Sequence, residues 1–253
     1  LSPDEARSLR VSIASAAPEP ASPGRTVVDI PVSELVPLVN WRPFLKVWGL
    51  PVTLCDAFSL HLCPSCRESY VELHSGKEGR EKASAALSLA HDALEVLRGF
   101  RPAVRGVVAL SQARSEGDDI VVSQAAAPAT EVRIPTMRRQ SPDTSGRCPA
   151  LADFIAPEGD WIGAFAVSVD AVEECAALRE RGDDYRALIL QALADRLAEA
   201  ASEWLHRYVR RKLWGYAHDE PDMTPEELLQ GKYRGIRPAM GYNSLPDTTL
   251  NHR

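Results

Sequence analysis

Residues 184–214 decide the fold, and they run DYRALILQALADRLAEAASEWLHRYVRRKLW. Apolar residues recur in this stretch at steps of three and four, which is the spacing that places side chains on one face of a helix. They are Leu190, Leu193, Leu197, Ala201, Trp204 and Tyr208. The pattern predicts one long helix that ends at Gly215 and packs its apolar stripe on a sheet.

The opposite side of this helix is predicted to carry charge. Its members are Asp195, Glu199, Glu203, His206, Arg207 and Arg210. Asp195 and Glu199 are one turn apart and should point the same way. On the residues alone, a charged face of this kind is typical of a solvated surface.

The sheet is predicted from the middle of the chain. Residues 105–110 and 119–122 flank a polar turn with a glycine, which is a hairpin signal. Residues 131–134 are expected to add a third strand, and the apolar run 161–167 is expected to be a buried central strand. Strands followed by helices without regular alternation predict an α+β fold, with a twisted, largely antiparallel sheet packed by helices.

The N-terminal part is predicted to divide at residue 27. Residues 1–26 are rich in Pro and Ala and poor in large apolar side chains, so we expect a flexible N-terminal arm. Order is expected from a short strand near Val27, followed by a helical turn that Pro43 would start. Asn40, just before it, is either a helix cap or a ligand contact.

Residues 51–80 are the least regular part and are expected to be insertion-like. Cys63 and Cys66 have the C-x-x-C spacing with which two thiolates grip zinc, but further ligands would have to come from Cys55, His61 or His74 at no standard spacing. Zinc, a redox pair and an irregular insertion all remain open. A helix is predicted at residues 79–97.

Residues 233–247 run YRGIRPAMGYNSLPD and are predicted to be a loop. Pro238, Gly241 and Pro246 break helices and central strands. Arg237 offers a fork of donors for a carboxylate or phosphate, Gly241 permits close approach by a ligand, and Tyr242 supplies an aromatic face. The alternative is a structured turn whose arginine caps the preceding helix. That helix is predicted from Thr224, with Pro at its first position.

Composition limits the function classes. The chain has 253 residues, 45% hydrophobic residues and a net charge of -6. No basic field is available for nucleic acid, so we expect no nucleic-acid partner. Apolar runs are too short for a membrane helix, and no membrane association is expected. Five cysteines fit free thiols in a reducing compartment, so the expected location is cytoplasmic.

Several motifs in order resemble the activation domain of cobalamin-dependent methionine synthase. They cover roughly residues 30 to 247 apart from 51–80, and together they are more specific than any one alone. The matching segments are residues 40–44 (NWRPF), 105–108 (RGVV), 152–157 (ADFIAP), 162–167 (IGAFAV), 184–185 (DY), 192–200 (ALADRLAEA) with 205–206 (LH) and 214–216 (WGY), and 233–239 (YRGIRPA) with 241–242 (GY).

The resemblance implies a module that binds S-adenosylmethionine and supports reductive methylation, and so reactivation, of cob(II)alamin. Cobalamin would be carried by a partner domain or corrinoid protein, and flavodoxin or a reductase would donate the electron. Arg237 matches the arginine that grips the methionine carboxylate, and Asn40 matches a position near the ligand's ammonium group. Pro238, Ala239, Gly241 and Tyr242 match the surroundings of the nucleoside. Asp195 and Glu199 match the acidic helix face near the docked cobalamin domain.

Three departures qualify this resemblance. Asn40 stands where the family typically has Asp, which gives up charge attraction for an ammonium group. Asn243 stands where the family usually has Pro, and Thr248 and Thr249 replace the expected His and Glu. The family's last segment does not follow within the 253 residues, so we expect an activation-domain-like domain at 27–253 without it.

Two other functions stay open from the sequence. The first is a divergent binding or scaffold module that docks a corrinoid protein without S-adenosylmethionine, suggested by Asn40. The second is a zinc-stabilised interaction protein built on Cys63 and Cys66. Whether the chain itself catalyses a reaction, as part of a methionine synthase type of methyltransferase, does not follow from these residues.

Overall fold

The computed structural model describes residues 1–13, 15–60, 63–123 and 130–249. Within these ranges, short 3-10 helices lie at Val36–Leu38, Val52–Phe58 and Leu151–Phe154, and a π-helical turn lies at Val209–Leu213. The α-helices are α1 (Pro3–Ser8), α2 (Val32–Leu35), α3 (Trp41–Val47), α4 (Pro64–Glu72), α5 (Gly76–Gly99), α6 (Val172–Glu180), α7 (Asp184–Tyr208) and α8 (Pro225–Leu229). The strands are β1 (Gly24–Asp29), β2 (Val104–Glu116), β3 (Asp119–Ser123), β4 (Glu131–Pro135) and β5 (Asp160–Val169).

The sheet is organised around β2. This strand pairs antiparallel with β1, β3 and β5, and β3 pairs antiparallel with β4. The predicted hairpin is therefore confirmed, as is the third strand beside it. The α+β class with an antiparallel sheet packed by helices is confirmed as well.

The prediction that residues 161–167 form a central strand is wrong. Among the described residues, β5 pairs with β2 alone and so lies at an edge of the sheet. The registers explain this, because β1 and β3 follow one another along one edge of the 13-residue β2, while β5 occupies the other edge. The apolar run reflects one covered face: Phe165 and Val167 pack on the core, whereas Ala164 and Ala166 are exposed.

Helix α7 packs across the sheet, as its periodicity predicts. Leu193, Leu197 and Ala201 are fully buried, and Leu190 and Trp204 are nearly so. The helix approaches β2 closely at Gly106, where an added Cβ would lie 2.6 Å from Leu205 Cδ2. The glycine therefore sets the distance between the long helix and the central strand.

The charged side of α7 is only partly solvated. Asp195 and Glu199 are exposed, in keeping with the surface interpretation. His206 and Arg210 are buried, with Arg210 only 1% exposed, so their assignment to a solvated face is wrong. The physical reason is that the segment after the helix folds back over its last turns and brings Glu220 against Arg210.

The first 26 residues do not form a free arm where the structure describes them. Helix α1 carries a capping box between Ser2 and Glu5. The backbone N–H groups of Val11 and Ala17 donate to the carboxylates of Asp153 and Asp160, at 3.1 and 2.8 Å. Composition predicted flexibility because large apolar side chains are scarce, but backbone groups bonded to carboxylates of the body hold this segment.

Residues 51–80 are helical rather than irregular where they are described. Leu54, Phe58 and Tyr70 are buried in the core, and Trp41 stacks on Phe58 with ring centroids 4.1 Å apart. The predicted helix at 79–97 is confirmed within α5. This stretch therefore belongs to the same core as α7.

The C-x-x-C motif forms a helix start. Cys63 is the N-cap of α4, and its Sγ accepts from the Cys66 N–H at 3.3 Å. His61, one of the candidate ligands, lies outside the described residues. Among the residues that are described, no group of three or more His, Cys, Asp or Glu side chains is placed to hold a metal ion.

Two predicted helix caps are confirmed. The Asn40 side chain accepts from the Arg42 N–H and caps α3. Thr224 and Glu227 form a capping box at the start of α8. In the described part of the chain, none of the helices is long and apolar enough to span a membrane.

We predict that Gly106→Ala destabilises the protein by about 1–3 kcal/mol, because the new methyl group must push Leu205 or β2 out of place. Denaturant unfolding measures the change. Gly99→Ala is the matched control, since nothing lies within 4 Å of its added Cβ, and it should leave stability unchanged or raise it by up to about 1 kcal/mol. Equal stabilities for the two variants would contradict the close packing of α7 on β2.

Candidate functional site

The predicted loop lines a cavity of about 380 Å³. Two of the predicted site residues, Arg237 and Pro238, are part of its wall. The other described residues of the wall are Leu151, Phe154, Gly231, Tyr233, Gly235 and Ile236. The cavity is wide open to solvent, and its wall combines apolar and aromatic side chains with one guanidinium, a composition that small-molecule sites share.

A buried ion pair fixes the start of this loop. Arg210, in the π-helical turn after α7, donates from Nε and Nη2 to Glu220 Oε2 at 3.1 and 2.6 Å. The other oxygen of Glu220 accepts from the Arg234 N–H at 2.8 Å. Arg234 in turn donates to the Tyr216 carbonyl at 2.8 Å. The carboxylate of Glu220 thus connects the end of the long helix directly to the loop backbone.

Tyr233 is held by two side chains of the same helix end. The Arg210 guanidinium lies 4.4 Å from the centre of its ring, a cation–π contact. The His206 ring meets it edge-on with centroids 4.8 Å apart. At Gly235 the backbone has a φ of +94°, and an added Cβ would lie 2.7 Å from the Tyr216 hydroxyl. Only glycine fits this turn.

Burial and the charge of Arg210 set the protonation of Glu220 and His206. Burial acts to raise the pKa of Glu220, but its bonds to Arg210 and to the Arg234 N–H outweigh burial and lower the pKa. Burial, followed by the charges of Arg210 and Arg237, lowers the pKa of His206 to about 3. His206 is therefore neutral near pH 7, and its Nδ1 accepts from Arg210 Nη1 at 2.9 Å.

Arg237 forms an ion pair with Glu203 of α7 through its Nη2. The side chains of Arg237 and Glu203 are 27% and 14% exposed. The alternative that Arg237 caps the preceding helix is wrong, because its partner lies on α7 and not on α8. Burial raises the pKa of Glu203, with the charges of Arg237 and Arg210 opposing that effect.

Another part of the cavity wall is fixed by a second buried arginine. Arg138 donates to both oxygens of Asp153, at 2.7 and 2.6 Å, and to Asp118 at 2.8 Å. Asp153 belongs to the 3-10 helix that carries Leu151 and Phe154. The bidentate pair therefore positions Leu151 and Phe154, which line the same cavity as Arg237 and Pro238.

The remaining predicted loop residues lie beyond this cavity wall. Gly241 N–H donates to the Leu245 carbonyl at 2.8 Å, and Leu245 N–H donates to the Tyr242 carbonyl at 2.9 Å, which forms a tight turn. Tyr242 is 70% exposed, and Ala239 is exposed as well. The structure thus presents the Tyr242 ring to solvent beside the predicted arginine loop.

The structure does not bring all predicted residues together. Asn40 is half-buried at the start of α3 and is not among the described residues that line the cavity. Asp195 and Glu199 lie on the exposed face of α7, where Glu199 pairs with Arg196 at 2.6 Å. Cys63 and Cys66 lie at the start of α4 and are likewise absent from the described wall.

Sequence reasoning missed the supporting residues of the site. Glu203, Arg210 and Glu220 were not assigned to it, although the first two were noted as charges on α7. A signal was available, because Glu203 continues the four-residue spacing of Asp195 and Glu199 towards the loop. Glu220, by contrast, lies in a segment without periodicity, so only the fold reveals its partner.

A second cavity of about 370 Å³ lies between Ala16, Ala17, the end of β2 and residues 158–161. It contains none of the predicted site residues. Of its two carboxylates, Glu158 is exposed and Asp160 already accepts from the N–H groups of Ala17, Ala156 and Trp161. Its arginine, Arg114, is already paired with Glu116 and Glu131. The arginine loop is therefore the better candidate site.

Comparison with known proteins gives two findings. A family model described as vitamin B12 dependent methionine synthase, activation domain, matches residues 31–253. The fold also matches a crystal structure of the MetH reactivation domain bound to AdoHcy, with a TM-score of 0.78 and 32% sequence identity. That match covers 100% of this chain and 76% of the solved chain.

We predict that His206 makes stability fall with acid. The unfolded chain binds a proton to this histidine near its ordinary pKa of about 6.5, whereas the folded protein resists protonation down to about 3. The free energy of unfolding should therefore drop by about 1.4 kcal/mol per pH unit between about pH 6.5 and pH 3. Between pH 7 and 5, wild type should lose about 2 kcal/mol more than His206→Gln, measured by urea unfolding. Equal losses would contradict a buried neutral His206.

Proposed function

The chain belongs to the family of vitamin B12 dependent methionine synthase activation domains, and from this premise we propose that it binds S-adenosylmethionine and supports reductive methylation of cob(II)alamin. The observation that carries the proposal is the solved relative, which binds AdoHcy and matches this chain over its full length. AdoHcy is S-adenosylmethionine without the transferable methyl group, so a site that holds one has the shape for the other.

The proposed ligand site is the arginine loop. Arg237 receives the ligand carboxylate, because its planar fork suits a carboxylate and its Nε is a buried donor without a partner among the described residues. Pro238, Ala239, Gly241 and Tyr242 surround the nucleoside, for which the exposed Tyr242 ring offers a stacking face. Asn40 is proposed as a contact of the ligand's ammonium group.

The contribution of the chain to the reaction is positioning. Cobalamin, carried by a partner domain, supplies the cobalt that accepts the methyl group. The residues of this chain orient the ligand so that its sulfonium methyl points out of the site, which turns the transfer into an effectively unimolecular step. The rigid connection from α7 through Glu220 to the loop serves this purpose, since a loosely held Arg237 could not fix the methyl group in line.

The partners follow from the family. A methionine synthase activation domain works with a cobalamin domain, and we propose that Asp195 and Glu199 face that domain, because both are exposed on one side of α7. The electron for cob(II)alamin is proposed to come from flavodoxin or a reductase. The direct assay is methylation of a cob(II)alamin-loaded cobalamin domain in the presence of this chain, S-adenosylmethionine and a reductant.

We expect Arg237→Ala to weaken S-adenosylmethionine binding by about a hundredfold, because a charge-assisted carboxylate bond is lost. Arg237→Lys should lie between wild type and Arg237→Ala, since it keeps the charge but not the fork. Isothermal titration calorimetry measures the affinities. Arg186→Ala, at an exposed arginine near the start of α7, is the control. An unchanged affinity in Arg237→Ala would refute the site.

We expect Asn40→Asp to strengthen S-adenosylmethionine binding about threefold to tenfold. Asp caps a helix as well as Asn does, so α3 should keep its start, while the new charge attracts the ammonium group. The same calorimetric titration, repeated at high salt, separates the charge effect, because the gain should shrink as salt screens it. A weaker or unchanged affinity at low salt would contradict the assignment of Asn40.

A further inference from the structure

The Arg237–Glu203 pair is incompletely satisfied on both sides. In the described part of the chain, three buried side-chain N or O atoms have no hydrogen-bond partner, and two of them belong to this pair. They are Arg237 Nε, which is a donor, and Glu203 Oε2, which is an acceptor when ionised. A buried charged group with an open hydrogen-bonding position is costly, so a native pair with two such positions requires an explanation.

The two open positions have opposite requirements. Nε of Arg237 needs an acceptor, and Oε2 of Glu203 needs a donor. They belong to side chains in direct contact, so one small group that carries both an anion and a cation could satisfy both. An α-amino acid has this arrangement, because its carboxylate and ammonium group are attached to the same carbon. An anion alone would satisfy Arg237 and would meet repulsion from Glu203.

We propose that Glu203 binds the ammonium group of the ligand while Arg237 binds its carboxylate, so that the pair forms a clamp for an amino-acid head group. This inference rests on the proposed function, in which the ligand is S-adenosylmethionine. It adds a specificity-determining residue on α7 that selects ligands with a free α-amino acid end.

The surroundings of Glu203 support this role. Its carboxylate is held mainly by Arg237, whose Nη2 bonds to Oε1, which leaves Oε2 available. Asn40 is uncharged, and its side-chain oxygen already accepts from the Arg42 N–H at 3.2 Å. Glu203, bonded to Arg237, therefore offers the ammonium group a carboxylate acceptor in addition to the amide oxygen of Asn40.

The test combines three ligands with variants of one residue in calorimetric titrations. S-adenosylmethionine carries both charged groups, decarboxylated S-adenosylmethionine keeps only the ammonium group, and 5′-methylthioadenosine lacks both. Glu203→Gln should weaken binding of S-adenosylmethionine and of its decarboxylated form by about tenfold to a hundredfold. It should leave the affinity for 5′-methylthioadenosine within about twofold. Glu203→Asp keeps the charge and should lose less than Glu203→Gln. Asp184→Asn, an exposed carboxylate at the other end of α7, is the control.

Each other result overturns the proposal. Unchanged affinities in Glu203→Gln would show that the carboxylate does not meet the ligand. Tighter binding of S-adenosylmethionine would show that Glu203 competes with the ligand for Arg237. A loss confined to S-adenosylmethionine, with the decarboxylated ligand unaffected, would show that Glu203 only orients Arg237. If Glu203→Gln does not fold, the Glu203→Asp series decides. A wild-type chain that binds no S-adenosylmethionine would instead remove the proposed function, and this inference with it.

Discussion

The buried ion pair between Arg210 and Glu220 is the interaction on which the site depends. A buried pair contributes little net stability, because desolvation offsets most of its Coulomb energy, but loss of one partner is costly. Its role here is to fix the position of the loop relative to α7. One carboxylate bonds to the end of α7 through Arg210 and to the loop backbone through Arg234, so the loop cannot shift without breaking a buried charged contact. Arg237 lies three residues further along the same loop.

Helix α7 serves both the core and the site. Its apolar side packs on β2, where Leu205 reaches Gly106, and its last turns present Glu203 and His206 to the loop. The π-helical turn that follows presents Arg210. A single rigid element therefore sets the position of Arg237 relative to the sheet. The exposed Asp195 and Glu199 lie on this helix about three to four turns before Arg210, so a partner docked there would be held in register with the proposed ligand site.

The sequence predicted the parts of the fold that local patterns encode. Periodicity located α7, alternation and turn residues located the hairpin of β2 and β3, and capping residues located α8. Contacts between distant residues were beyond these patterns. Burial of His206 and Arg210 depends on Glu220, the edge position of β5 depends on the length of β2, and docking of the first residues depends on Asp153 and Asp160. For the site, Arg237 and Pro238 were predicted, whereas Glu203 and Glu220 required the folded chain.

The most direct test of S-adenosylmethionine binding at the arginine loop is isothermal titration of the wild-type chain with this ligand, at concentrations that reach millimolar because Asn40 lacks a charge. Saturable heat with one site per chain is expected. No binding at any concentration would contradict it, and would favour a module that docks a corrinoid protein without using this ligand.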